Sequence, residues 1–424
     1  MDLLAIFITL VFGHSLVSGR LERTIITAPI VFTAGGMLAF LFLPALPQRP
    51  VSFEAFLRMA EVGLVLLLFT DASRTDLGVL KNIRNLPVRL LSTGMLVTIL
   101  LGGLGALVVF PELSLWEAGI LAAILAPTDA GLGQIIVNSP RVPRKIRQAL
   151  NVEAGLNDGL SVPFLLFFIA LAGVGADGPR ASLTQFVVEQ LGYGTLVGVG
   201  IGLVGGWLLG AAHARKFIAQ SGQQLGVVAL PLLCVLASEA VGASMFIAAF
   251  VAGLAVQVGF KEAGRHSVEF TEEWGQLLNL SVFFLFGLLV ARAWDQFKPT
   301  LVLYALLSLT VVRMLPVAVA LIGTGLSRAT VLFMGWFGPR GLASIVLGLV
   351  YLEHQTHQPS EPTIRLAMMA TVLLSIFAHG LTAMPGINAY ARRLENSRPG
   401  VPEQEIAETN ITECTTISST QTKR

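Results

Sequence analysis

The sequence predicts an all-helical bundle that crosses a membrane many times, and three observations carry that expectation. Of 424 residues, 54% are hydrophobic and only 13% are charged, with a mean hydropathy of +0.75, far from the composition of a water-soluble globular chain. The apolar residues fall in runs of about 20, the length a helix needs to span the hydrocarbon layer. The runs lack the apolar–polar alternation that membrane barrel strands require.

Thirteen such stretches can be placed, at roughly 2–18, 24–43, 53–71, 87–110, 116–138, 146–174, 184–212, 225–240, 243–260, 274–292, 299–323, 329–352 and 363–390. The first has no basic leader and no small-residue cleavage site, so it reads as a retained helix. The residues from 391 onward are polar and too few to build a domain, so a short disordered tail is expected there. Cys234 in an apolar run and Cys414 in the tail suggest neither a disulfide framework nor a thiolate metal site. A net charge of +2 gives no basis for nucleic-acid binding.

Loop charge tests the count. Loops following odd-numbered stretches, together with the tail, hold 20 of the 28 Lys and Arg, including Arg74, Lys81, Arg84, Arg89, Arg141, Arg144, Lys145 and Arg147; loops following even-numbered stretches hold 4. Short cytoplasmic loops carry the basic excess. The split favours thirteen crossings with the N-terminus outside and the tail in the cytoplasm, which also makes the Asn410-Ile411-Thr412 sequon accidental.

Two stretches are broken in mid-membrane. The fifth carries Ala126-Pro127-Thr128-Asp129-Ala130-Gly131 and the twelfth Gly335-Trp336-Phe337-Gly338-Pro339-Arg340-Gly341. Proline removes a donor and glycine tolerates unwound backbone. The freed polar groups are tolerable in a membrane only inside protein or along a cavity, and paired broken helices in two halves point to a transporter's binding site. The offset of seven fits two six-helix repeats joined by stretch seven, and an odd connector makes those repeats inverted.

A charge at the bilayer centre costs roughly 3 kcal/mol or more, so each one asks for a role. Asp129 lies in the first break; Asp158 lies in the sixth stretch within Glu153-Ala154-Gly155-Leu156-Asn157-Asp158, followed by Ser161. At helical spacing Asn151, Ala154, Asp158 and Ser161 share a stripe, with Glu153 and Asn157 on the next. A buried carboxyl can hold a proton or a cation but hardly both, which is the basis of exchange. Asp158 is the candidate for that competition, with oxygens of Thr128, Asp129 and the unwound backbone completing a hard-cation shell, Asn157 beside it and Ser161 on the same stripe as a substitute ligand. Arg340 and Arg313 need anionic partners; Glu153 is the natural one, such a pair could be purely architectural, and Arg340 is also placed to neutralise the half-helix ends at the break.

Other features take structural readings. Asp71, Asp76, Arg58, Glu61, Glu239 and Arg365 lie near stretch ends, within snorkelling reach of the interface. His14 and His379 read as hydrogen-bonded packing residues, and Gly194, Gly198, Gly202 and Gly206 as a close-packing row.

Pro127-Thr128-Asp129, then Glu153-Ala154-Gly155-Leu156-Asn157-Asp158, then Gly338-Pro339-Arg340-Gly341, in this order, resemble the NhaP-type, electroneutral branch of the monovalent cation:proton antiporters. The resemblance covers the whole membrane region. It implies a thirteen-helix fold in which a core (about 87–174 and 299–390) moves against a dimerisation scaffold (about 1–71 and 184–292). It implies exchange of Na⁺ or Li⁺ for H⁺ on Asp158 in a bacterial inner membrane by a homodimer with no resident cofactor. Asp129 and Thr128 would help form the site, Asn157 would organise it, and Glu153 would pair with Arg313 or Arg340. Ala154 departs from the family, which commonly carries a serine there; that opens K⁺ as an alternative ion. A sodium-coupled organic solute symporter is the other alternative, but few extra polar residues lie at mid-depth. An intramembrane aspartyl protease would need Gly-x-Gly-Asp, and Gly155-Leu156-Asn157 precedes Asp158, so no enzyme is expected.

Overall fold

The computed structural model describes residues 2–21, 24–42, 53–74, 85–173, 188–260, 269–353 and 360–395, and among them every regular element is a helix. The expected tail beyond 395, with its sequon, and Asp76, Lys81 and Arg84 lie outside the described residues. We number the helices α1 (Asp2–Leu21), α2 (Ala28–Phe42), α3 (Phe53–Arg74) and α4 (Leu86–Val109), the last with a π turn at Leu90–Gly94. Next come α5 (Leu115–Ile124), α6 (Ala130–Val137), α7 (Arg144–Gly173), α8 (Gly194–Ala214), α9 (Gln220–Val241), α10 (Met245–Gly259) and α11 (Glu269–Arg292). The chain continues through α12 (Pro299–Leu309), α13 (Val311–Ala320), α14 (Arg328–Trp336), α15 (Leu342–Glu353) and α16 (Glu361–Glu395).

Eight helical segments among the described residues are long and apolar enough to cross a membrane by themselves. The fifth and twelfth apolar stretches are each two short helices separated by unwound backbone, at the expected Pro and Gly positions. The eleventh stretch, which reads as continuous, is also divided: Thr310 leaves the helical region (φ −105°, ψ −89°). Its hydroxyl donates to the Leu306 carbonyl at 2.6 Å, the back-bonding by which threonine bends helices.

Local chemistry sets several helix starts. Ser114 and Glu117 form a reciprocal capping box that opens α5, and Ser244 and Ser327 cap α10 and α14. Gly242 ends α9 in the left-handed region, at φ 67°.

Helices α2, α3, α8, α9, α10 and α11 pack largely on one another, whereas α4 to α7 pack with α12 to α16; α3 and α10 meet α7, and α3 and α11 meet α15, along the seam. The glycine row of α8 lies on α10. A Cβ at Gly198, Gly202 or Gly206 would sit 2.5–2.6 Å from the carbonyl oxygens of Ala248, Ala252 and Val256 in turn. With lipid as apolar as leucine, close packing rather than water exclusion holds such helices together. Gly202→Val is expected to push α8 off α10 at a cost of about 1–3 kcal/mol, the usual range for overpacking. The check is a lowered midpoint in detergent thermal unfolding followed by size-exclusion fluorescence.

Candidate functional site

The two unwound segments cross and bind each other. The Asp129 amide donates to the Pro339 carbonyl at 2.8 Å, and the Leu342 amide donates to Asp129 Oδ2 at 2.6 Å. Asp129 Oδ1 accepts from the Leu132 amide at 3.0 Å. One carboxylate therefore caps the N-termini of both α6 and α15, where helix dipoles leave positive ends. At the opposite pole, Arg340 points its guanidinium at the C-terminal end of α5, donating to the carbonyls of Ala126 and Pro127. The charges beside the two prolines thus meet the half-helix ends created by the breaks.

The glycines of the second break make that approach physically available. A Cβ at Gly341 would collide with the Asp129 carboxyl, and one at Gly338 with the Arg313 guanidinium.

Arg313, on α13, holds Glu153 of α7 in a bidentate pair at 2.6 and 3.1 Å, and both residues are buried. The sequence left Arg340 and Arg313 both open as partners of Glu153; geometry selects Arg313. Of the two readings open to Arg340, a carboxylate partner or the half-helix ends at the break, the geometry shows the second. Among the described residues it forms no ion pair; its Nη1 donates to the two carbonyls, while Nε and Nη2 have no hydrogen-bond partner there.

A cavity of about 740 Å³ opens between α1, α3, α6, α7 and α11 and reaches Asp129 and Asp158. Asp158 Oδ1 is buried with no hydrogen-bond partner among the described residues, and Asp129 and Asp71 line the same cavity. Asn157 donates to Thr128 Oγ1 at 2.7 Å, while its own Oδ1 has no partner among the described residues. Ser161 behaves differently from its sequence reading. It is fully buried and donates to the Asp158 carbonyl at 2.8 Å, and it does not line the cavity. One turn beyond Asp158 on α7, its short hydroxyl finds a partner in its own helix.

Ala154 lines a second, small void of about 20 Å³ together with Thr128, Asp129 and Glu153, room for about one water. Among the described residues, no group of three or more His, Cys, Asp and Glu is arranged to hold a resident metal.

Sequence reasoning missed Asp71. It sits one turn from the end of α3, which suggested snorkelling, yet it lines the cavity with Asp129 and Asp158. Gly155 of α7 makes space for it, since a Cβ there would lie 3.2 Å from the Asp71 Cβ. No local signal marks this contact; a glycine among the polar residues of α7 is its only trace. Glu61 is also corrected: it is buried rather than at the interface, and Arg58 bridges it (3.5 Å) to Glu239 of α9 (2.7 Å). Arg365 lies 3.9 Å from Glu361 one turn away. His14 lines the cavity, and its ring lies 5.6 Å from that of Phe32.

The family model described as the transmembrane sodium/hydrogen exchanger matches residues 4–388. The chain belongs to the sodium/hydrogen exchanger family. The chain is therefore a multi-pass integral membrane protein, and its family is one of transporters rather than enzymes. It is 31% identical over 237 residues to a sodium, potassium, lithium and rubidium/H⁺ antiporter of Bacillus subtilis, covering 54% of this chain and 33% of that protein. It is 26% identical over 265 residues to a Na⁺/H⁺ antiporter of Schizosaccharomyces pombe, with 58% and 56% covered. A K⁺/H⁺ antiporter, NhaP2, of Shewanella oneidensis is 27% identical over 241 residues, with 55% and 41% covered. The chain thus spans a third to just over half of these relatives' lengths. Its fold matches that of the sodium proton antiporter MjNhaP1 from Methanocaldococcus jannaschii, with a TM-score of 0.69 at 21% identity over 90% of this chain and 99% of that one.

Proposed function

We propose that the chain is a secondary antiporter that exchanges Na⁺ or Li⁺ for H⁺, with the cation and the proton competing for Asp158. The observation that carries the reading is a buried Asp158 carboxyl oxygen with no hydrogen-bond partner among the described residues, on a carboxylate that lines the cavity beside two crossed helix breaks. The other carboxylates near the crossing are committed: Asp129 to two helix N-termini and Glu153 to Arg313. Asp71, from across the seam, would face the cation as it enters. Water would supply the remaining oxygens in place of Ser161.

In this reading α4 to α7 and α12 to α16 form a core that moves against α1 to α3 and α8 to α11. The topology is thirteen crossings in two inverted repeats, N-terminus outside and C-terminus cytoplasmic, in a bacterial inner membrane. The cavity lies toward the ends of α3 and α6 that carry Arg74 and Asn138, the side rich in basic loops, so the site would face the cytoplasm. The outward apolar rows of α1 (Leu4, Ile8, Phe12) and α8 (Leu196, Val204, Trp207) suit lipid and the second copy of a homodimer.

Fluorescence dequenching in inverted vesicles, challenged with Na⁺, Li⁺ and K⁺ over a pH series, tests the function. Dissipation of ΔpH by Na⁺ and Li⁺ is the expected result. Response to K⁺ alone would replace the ion, and dependence on an organic solute would replace the class. One exchanging carboxyl also implies one charge in each direction, so the rate should not respond to an imposed membrane potential; a clear response would remove the one-for-one stoichiometry. Ala154→Ser places a hydroxyl at the small void beside Thr128 and Asp129. It is expected to lower the half-saturating Na⁺ concentration several-fold, about the worth of one hydrogen-bonding oxygen, with K⁺ less affected.

A further inference from the structure

We infer that His379 is a positioning residue for the cation site: it straps the second helix break to α16 and thereby sets the backbone that holds Asp129. The inference rests on the antiport reading for its transport consequence, though not for its structural one. His379 is buried and does not line the cavity, so it acts at one remove from the ion.

Four hydrogen bonds make the strap. His379 Nε2 lies 2.9 Å from the Trp336 carbonyl, at the C-terminal end of α14. A carbonyl can only accept, so Nε2 carries the hydrogen. Nδ1 lies 3.1 Å from the Ser375 hydroxyl and 3.0 Å from the Ser375 carbonyl, one turn earlier on α16; in a neutral ring protonated at Nε2 it is an acceptor, and of the two only the hydroxyl can donate to it. The Ser375 oxygen in turn accepts from the Arg340 amide at 2.6 Å. The Trp336 carbonyl also accepts from the Gly338 amide at 2.9 Å, closing the turn inside the break. Residues 336 to 340 are therefore held at both ends by two side chains on a single face of α16.

This segment and the start of α15 that follows it present the groups that fix Asp129, the Pro339 carbonyl and the Leu342 amide. In a membrane interior, backbone released from a helix has no water to bind and takes whatever partner the neighbouring helix offers. Ser375 and His379 are those partners. If they are lost, the crossover has no fixed height relative to α16, and Asp129 moves with it. Contact between the Trp336 and His379 rings, 5.1 Å apart and tilted by 34°, further restrains the imidazole.

The test uses His379→Leu, His379→Gln and Ser375→Ala in the full chain, with Na⁺ as the probe. Leucine keeps the volume and removes both hydrogen bonds; glutamine restores a donor toward Trp336. Hydrogen–deuterium exchange should show faster uptake in the peptide covering 336–343 for His379→Leu and Ser375→Ala, and uptake near wild type for His379→Gln. In reconstituted vesicles, His379→Leu should raise the half-saturating Na⁺ concentration about tenfold, the usual consequence of losing a buried hydrogen bond. The maximal rate should change far less. Wild-type uptake and wild-type Na⁺ dependence in His379→Leu would overturn the inference, as would a failure of glutamine to rescue either readout. Should the leucine variant not fold, Ser375→Ala cuts the same chain with the smallest change of volume, and unchanged uptake there is equally fatal. A wild-type protein that exchanges no cation would sink the function proposed above, while the amide readout would still decide the strap.

Discussion

Asp158→Asn is expected to bring cation-dependent ΔpH dissipation down to the leak rate, a loss of about a hundredfold or more, while the protein remains folded. Asparagine keeps the shape of the side chain and one oxygen but removes the charge that both ions need. A hydrogen bond or ion contact to a charged group is worth about 1.5–3 kcal/mol, and at about 1.4 kcal/mol per decade the loss spans one to two powers of ten for binding alone. Loss of the proton-carrying step removes the remainder. The neighbouring acids cannot substitute. Asp129 has both oxygens engaged by the amides of Leu132 and Leu342, and Glu153 is locked to Arg313. Asp71→Asn is the informative comparison, because Asp71 lines the same cavity from α3. It should weaken cation binding and leave turnover in place. Competition also sets the sign of the pH response in the wild type: as protons become more abundant, the half-saturating cation concentration rises, by up to tenfold per pH unit where Asp158 is protonated. Retained exchange in Asp158→Asn would reject the assignment, and a cation affinity indifferent to pH would reject the competition.

The second large effect concerns the buried pair. Glu153→Leu or Arg313→Met alone is expected to destabilise the protein by about 3–5 kcal/mol, because each leaves an uncompensated charge in a dry interior. Both residues are nearly inaccessible, so neither orphaned charge can reach water by a rotamer change. Making the two substitutions together removes both charges, and well-packed apolar replacements of a buried pair are often neutral. The double variant should therefore unfold near the wild-type temperature and regain most of the exchange. That outcome would establish the pair as architectural, holding α7 against α13. A double variant with wild-type stability and no exchange would instead place Glu153 or Arg313 in the transport cycle. Arg313 has one further restraint, since its guanidinium occupies the space where a side chain at Gly338 would sit. Some shift of the crossover, seen as a moderate change in Na⁺ dependence, is expected even in the rescued protein.

Much of the arrangement was legible along the chain. The two breaks fall at Pro127 and at Gly338-Pro339, where missing amide donors and unhindered glycine backbone make a continuous helix costly whatever the surroundings. Asp129 and Arg340 stood out because a charge inside an apolar run is conspicuous by itself. The length of the eleventh stretch was correct but its continuity was not, since one threonine hydroxyl bonded to Leu306 is too local an event to register in hydropathy. Asp71 and Ser161 were misread for related reasons. Distance from the end of a run does not give the depth of Asp71, and an eligible hydroxyl at Ser161 does not reveal that it bonds its own helix. Neither inference knows which way a helix faces or what another helix brings to it. His379 was correctly read as hydrogen-bonded; that its partners belong to the second break was not visible.

Composition and periodicity determined that this chain is a helical membrane protein, where its helices break, and which ionisable groups are carried into the interior. These are properties of single residues and their near neighbours, and hydropathy, helix length and backbone freedom act within a turn or two. Folding in three dimensions decided the pairings. Glu153 chose Arg313 across 160 positions, Asp129 capped α15 across 213, and Asp71 came to share a cavity with Asp158. Such choices follow from how helices cross and which faces meet, so they exist only once distant segments have packed, and the energy of a buried charge depends on that partner rather than on the residues beside it in the chain.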